Sequence, residues 1–284
     1  MSGKNAKTRA LVPTSTRTQA RVVLFQPSQR PGRRTGDWQV TSWGRVRVSG
    51  RLGQRHADTL EAICWTAIAR RDIEDGGIEL LVDPHSVRRV MTTGGPGPQE
   101  EKADPDPGQK KKKKGPPRYS SEQLHVLLAD LRAAVIEIET PELARDGQRI
   151  IGGLLDHWIP SRRAVMDPLT GGVRQLWRVR LGVALMALIR QDAAIWRDPA
   201  PIARLGSGVS QALARHILTH RAAPRGGWRL DGLLDAVGAR ADGRARRVAR
   251  QAVRADAAGL AELGIAIEGD RVRRVEGGGA EGAP

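Results

Sequence analysis

An α+β fold is predicted in which one order of elements, helix, helix, helix, strand pair, runs twice along the chain. Three observations predict it. The last quarter, from Leu205 to Val275, reads as helix, helix, basic helix, hairpin. A longer upstream stretch repeats that order in outline, with one strand added after its first helix. An insertion at residues 94–118, rich in Pro, Gly and Asp and ending in a lysine run, separates the second and third helices of that upstream copy. The repeat is one of topology, without a shared residue pattern.

Composition narrows the class. The 284 residues carry a formal net charge of +16, which implies a polyanionic partner. Cys64 is the single cysteine, so a disulfide within the chain is impossible. No apolar run approaches the roughly 18 residues of a membrane span; the longest, Leu181 to Ile189, is interrupted by Gly182. No apolar stretch follows the basic start, so no signal peptide is expected, and a cytoplasmic, nucleoid-associated location is. One Tyr, one Phe and seven Trp are too few for stacking platforms that hold single strands. Trp43, Trp158, Trp177, Trp196 and Trp228 sit beside apolar residues and are expected in cores.

The elements follow in order. Residues 1–37 are polar and basic and read as a disordered tail, with Val22 to Phe25 as one apolar patch. Trp43 to Ser49 alternates as a strand. A helix starts at Gln54, with Ala57, Leu60, Ile63, Cys64, Ala67 and Ile68 on one face. Ile78 to Val82 is a strand and Pro84 to Met91 a short helix with Pro at its start. Ser120 and Gln123 form a capping box for a helix with Leu124, Leu127, Leu128 and Leu131 inward. Val135 to Glu139, Arg149 to Trp158 and Val173 to Leu181 read as strands, the last two joined by a long connection. Gly182 to Trp196 is helical, broken by Asp198-Pro199. Ser207 or Ser210 caps a helix with Val209, Leu213, Ile217 and Leu218 inward. Leu230 to Val237 is a short helix ended by Gly238. The expected bodies are residues 38–190 and 191–275, with a tail at 276–284.

The basic helix begins Gly243-Arg-Ala-Arg-Arg-Val-Ala-Arg-Gln-Ala-Val-Arg254 and is expected to reach Leu263. Its period places Ala245, Val248, Ala249, Ala252, Val253, Leu260 and Leu263 on one half. Arg244, Arg246, Arg247, Arg250, Gln251 and Arg254 fall on the other. One half can seal a core. The other offers the groups that pair with guanine (Arg) and adenine (Gln) in a DNA major groove. Gly264 ends the helix, and the turn Glu268-Gly-Asp270 makes the following hairpin, with Arg271, Arg273 and Arg274 on its second strand. The run Lys110, Lys111, Lys112, Lys113 and Lys114 reads either as a phosphate-contacting arm or as a solvated tract.

Two further segments carry a resemblance. Gly50-Arg-Leu-Gly-Gln-Arg-His-Ala-Asp-Thr-Leu-Glu-Ala-Ile63 and Gly206-Ser-Gly-Val-Ser-Gln-Ala-Leu-Ala-Arg-His-Ile-Leu-Thr-His220 resemble the first helices of the two winged-helix domains in plasmid replication initiators of the TrfA-like and RepA-like group. Gly227-Trp-Arg-Leu-Asp-Gly-Leu-Leu-Asp-Ala-Val-Gly238 resembles that group's second helix in the C-terminal domain. The resemblance spans about Trp38 to Val275. It implies two tandem winged-helix domains, binding to repeated double-stranded origin sites, recruitment of a host replication initiator and replicative helicase, and autorepression as a homodimer. It makes Arg244 to Arg254 the reading helix and Arg271, Arg273 and Arg274 the wing. The first domain's third helix departs from the pattern: its polar face offers Glu122, His125, Asp130 and Arg132, which suits dimerisation or backbone contact better than base readout.

Catalytic chemistry finds little support. Tyr119, the only tyrosine, borders the insertion and lacks a His-hydrophobic-His metal site to work with. His216 and His220 stand four apart, but without a zincin glutamate or an obvious third ligand they read as helix-end packing. Gly206-Ser-Gly208 and Gly94-Gly95 lack the Gly-Lys-Ser/Thr of a P-loop. No enzyme activity, cofactor or metal is expected. A winged-helix transcriptional repressor or copy-control regulator remains an alternative, as does a nucleic-acid-processing enzyme or ribonucleoprotein subunit.

Overall fold

The computed structural model describes residues 10–92, 119–166, 171–239 and 242–275. The lysine run 110–114 and the tail 276–284 lie outside them. The fold is mixed α+β and is organised around two apolar cores. One draws on residues from Val12 to Leu188, the other on residues from Ile202 to Val272.

The described residues open with β1 (Ser15–Thr16), α1 (Arg17–Arg21), β2 (Arg34–Thr35) and β3 (Gln39–Val40). This overturns the expectation of a disordered tail for residues 10–37. Val12, Thr16, Leu24 and Phe25 are buried, and β1 pairs antiparallel with β11 (Ala194–Ile195). The segment is a strap touching both halves. Leu24 and Phe25 enter the first core, while Arg21 donates through Nε to the Thr219 hydroxyl at 2.9 Å. Thr16 caps α1 reciprocally with Gln19. The strap gains its order from these distant partners, so its polar composition gave no local signal.

The first half continues with β4 (Arg45–Gly50), α2 (Gln54–Thr66), β5 (Ala69–Asp72), β6 (Ile78–Val82) and α3 (Pro84–Met91). Then come α4 (Ser121–Ala133), β7 (Val135–Glu139), α5 (Pro141–Arg145), β8 (Ile150–Gly152), β9 (Leu155–Met166), β10 (Val173–Leu181) and α6 (Val183–Gln191). The Ser120–Gln123 capping box of α4 is present. Two sheets form instead of one strand pair. In one, the order is β2-β4-β7-β8 with β3 also on β4; in the other it is β5-β6-β10-β9. The stretch expected as a long connection after Trp158 is strand as far as Met166, because β9 keeps pairing with β10, down to Met166 opposite Val173. The helix expected to reach Trp196 stops at Gln191. The chain then turns into β11, and Trp196 is left 48% exposed where a core position was expected.

The second half holds α7 (Ala200–Ala203), α8 (Gly208–Ile217), β12 (Trp228–Arg229), α9 (Leu230–Ala236), α10 (Gly243–Ala255), α11 (Ala257–Glu262), β13 (Ile265–Glu268) and β14 (Arg271–Arg274). Ser207 caps α8 by accepting from the Ser210 amide. The sheet order is β12-β14-β13, all antiparallel. Gly269 supplies the positive φ that opens the two-residue hairpin loop. The expected helix from Gly243 to Leu263 is two helices. The chain bends at Asp256, whose carboxylate accepts from the Gly206 and Ser207 amides at 2.9 and 3.0 Å.

Candidate nucleic-acid interface

α10 is seated by a narrow apolar stripe. Ala249 and Val253 are buried against Leu213, Ile217, Leu230 and Leu234, with Leu260 and Val272 completing the cluster. The sequence placed Val248 on this face as well. It is 56% exposed instead, and Ala245 is exposed too. The buried arc is narrower than the wheel implied because α9 covers the flank that carries Arg246 and Arg250 and not the one that carries Val248.

The six polar residues of α10 divide into two sets. Arg250 grips Asp231 of α9 with both its Nε and an Nη. Arg246 donates to Asp235, one turn further along α9, at 2.7 Å. Asp231 and Asp235 are themselves four apart, so two i,i+4 pairs clasp across the helix contact. The Arg250 hydrogen bond holds the Asp231 carboxyl below the ordinary carboxylate range. These two arginines orient α10, and their guanidinium groups are engaged. Arg244, Arg247 and Gln251 are exposed, and their side chains have no hydrogen-bond or ion-pair partner among the described residues. Arg254 is exposed as well and makes one bond, to the Gly269 carbonyl at 3.3 Å, which ties the end of α10 to the hairpin tip.

On the hairpin, Arg271 is exposed and Arg273 forms an exposed pair with Glu268 at 3.2 Å. Arg274 donates to the His220 carbonyl at 2.7 Å and so anchors β14 to the end of α8. The free donor surface is therefore Arg244, Arg247 and Gln251 on the helix, extended by Arg254 and Arg271, with the Arg273–Glu268 pair at its edge. Surface guanidiniums left without carboxylate partners keep their full donor set for an incoming anion.

His216 and His220 pack at the end of α8, with Nε2 atoms 3.3 Å apart and the His220 ring edge-on to Trp228. Burial, then the nearby His220 and Arg21, depresses His216 to about 4, so the ring is neutral at physiological pH. Among the described residues no group of three or more His, Cys, Asp or Glu could hold a metal ion. Tyr119 is half-buried with the Arg55 guanidinium over its ring.

Sequence reasoning missed the joint between the halves. Arg215 of α8, 3% exposed, donates to Glu61 at 3.0 and 2.9 Å, to Asp58 at 2.6 Å and to the Gln54 amide oxygen at 2.7 Å, all on α2. Arg197 adds a bond to Glu61, and Gln211 one to Asp58. Burial opposes the Arg215 charge, but Glu61 and Asp58 outweigh it and raise its pKa. Burial pushes Asp58 up against the pull of Arg215. Glu61, facing two arginines, ends below its ordinary value. The available signal was spacing: Gln54, Asp58 and Glu61 recur at helical intervals, as do Gln211 and Arg215.

Fold and surface together define a two-core α+β protein with a solvent-facing basic helix beside a basic hairpin. No family model matches the sequence, and no curated protein matches it. Among solved structures, the crystal structure of domains 2 and 3 of RctB superimposes with a TM-score of 0.51, over 91% of this chain and 95% of that one. The sequences are 11% identical, so the likeness is one of fold.

Proposed function

We propose that the chain is a replication initiator of tandem winged-helix build that binds repeated double-stranded DNA sites at a replication origin, without enzymatic activity of its own. RctB is a replication initiator, and the shared fold supports a role of that kind here. It lends no support to the narrower TrfA-like and RepA-like group. In this reading the second half is a winged helix, with α10 as the reading helix and the β13–β14 hairpin as the wing. The observation that carries it is the unpartnered set Arg244, Arg247 and Gln251, facing solvent on a helix whose opposite stripe is buried. The plasmid setting, autorepression as a homodimer, and recruitment of a host initiator and helicase belong to the same proposal.

Footprinting of the full chain on the DNA flanking its own coding region tests it. Protection of tandem direct repeats beside AT-rich DNA is expected. A lone protected operator upstream of a promoter would make the protein a repressor instead. No preference over random duplex of equal length would overturn the reading.

A further inference from the structure

Val248 occupies an unexpected place. A single exposed valine is ordinary on a protein surface, but this one borders the patch of unpartnered donors on α10, between it and the buried stripe. At 3.6 residues per turn it lies about 40° around the helix from Arg244 and about 60° from Gln251. Its other neighbours on the wheel are Ala245, Ala252 and Ala255, with Ala245 and Ala255 exposed and Ala252 half-buried. Small side chains there let the helix backbone approach a surface closely, which a residue as short as valine needs to make contact. The pattern is thus one apolar branched side chain, a ring of alanines, and guanidinium and amide donors on the adjoining arc.

We propose that Val248 is a specificity-determining residue that packs against the 5-methyl group of a thymine in the major groove, beside the base contacted by Gln251. The 5-methyl is the one apolar group that the major-groove edges present. The charge of Arg244, Arg247 and Arg254 suits a polyanion on this face and argues against a second copy of this basic helix as its occupant. The inference rests on the reading of α10 as a DNA-reading helix and adds to it a base step of defined chemistry.

The test starts from duplexes enriched from a randomised pool by the full chain. Each thymine in an enriched duplex is then replaced by uracil, which removes the methyl group alone. One position is expected to lose about fourfold in affinity with the wild-type chain, the scale of one buried methyl. The same replacement should cost nothing with Val248→Ala, because the cycle removes the same contact from either side. Gln251→Ala should relax preference at a position next to it, while Val248→Ala leaves that position unchanged. Equal sensitivity to uracil in wild type and Val248→Ala, or no sensitivity at any thymine, overturns the inference while leaving DNA binding intact. An oligomer that dissociates in Val248→Ala would assign the residue to self-association and overturns it too. A pool that yields no enriched duplex would sink the DNA-reading role of α10, and the inference with it.

Discussion

Arg215 and Arg247 are the same residue type, each on a helix of the second half, and their surroundings are opposite. Arg215 is enclosed, and all its contacts lie within the chain, bridging to α2 through Asp58, Glu61 and Gln54. Arg247 is exposed and has no partner among the described residues. An enclosed arginine with carboxylates fixes how two bodies sit. An exposed arginine without them is kept available for something outside the molecule. Charge count alone cannot separate the two. Arg246 and Arg250 stand between them: they are on the basic helix, yet spent on Asp231 and Asp235.

The comparison can be broken most forcefully at Arg215. Arg215→Met leaves Asp58 and Glu61 buried without their main partner and should cost about 3–5 kcal/mol in denaturant unfolding. A cost within ordinary surface scatter would show that the joint does not hold the halves. Arg244→Ala and Arg247→Ala should do the reverse. Each should leave stability within about 0.5 kcal/mol and weaken duplex binding by about 1–3 kcal/mol if it meets a base. Loss spread evenly over all sequences would make it a phosphate contact. Arg250→Ala should fall between, with a modest loss of both stability and affinity and unchanged base preference; Asp231→Asn should reproduce it, since both release the same clasp. A change in base preference in Arg250→Ala alone would place that side chain on DNA.

A smaller effect lies in pH. The unfolded chain protonates His216 near 6.5 and the folded chain only near 4. Between those values the unfolded state holds more protons, so stability rises with pH, is complete above about 6.5 and is lost as pH falls toward 4. His216→Phe should flatten that part of a stability–pH curve; an unaltered slope would mean the ring is solvated in the fold.

The parts legible in the sequence were those with strong local period. α3, α4, α2 as far as Thr66, and the basic helix as far as Ala255 with the hairpin follow from apolar spacing and caps, and the Gly269 turn from its residues; Ile68, expected on the apolar face of α2, lies beyond its end and is exposed. The strap at residues 10–37 was not legible, because Val12, Leu24 and Phe25 are scattered among polar residues, and because its partners are distant in sequence, as where Thr14 bonds Ile195, 181 positions away. The joint was hidden because charged residues at helical spacing look like a solvated face until the facing helix is known. Within α10 the wheel identified the helix and its polarity, but could not tell which flank α9 would cover. It therefore counted Arg246 and Arg250 as free and Val248 as buried.

The most direct measurement compares duplex affinity of the wild-type chain and the Arg244→Ala/Arg247→Ala double variant at one fixed salt concentration, with unfolding of both followed in parallel. If α10 presents its free face to DNA, the double variant loses at least tenfold in Kd, on the order of 1.4 kcal/mol, and unfolds as wild type does. Unchanged affinity in a variant that folds normally would contradict that assignment.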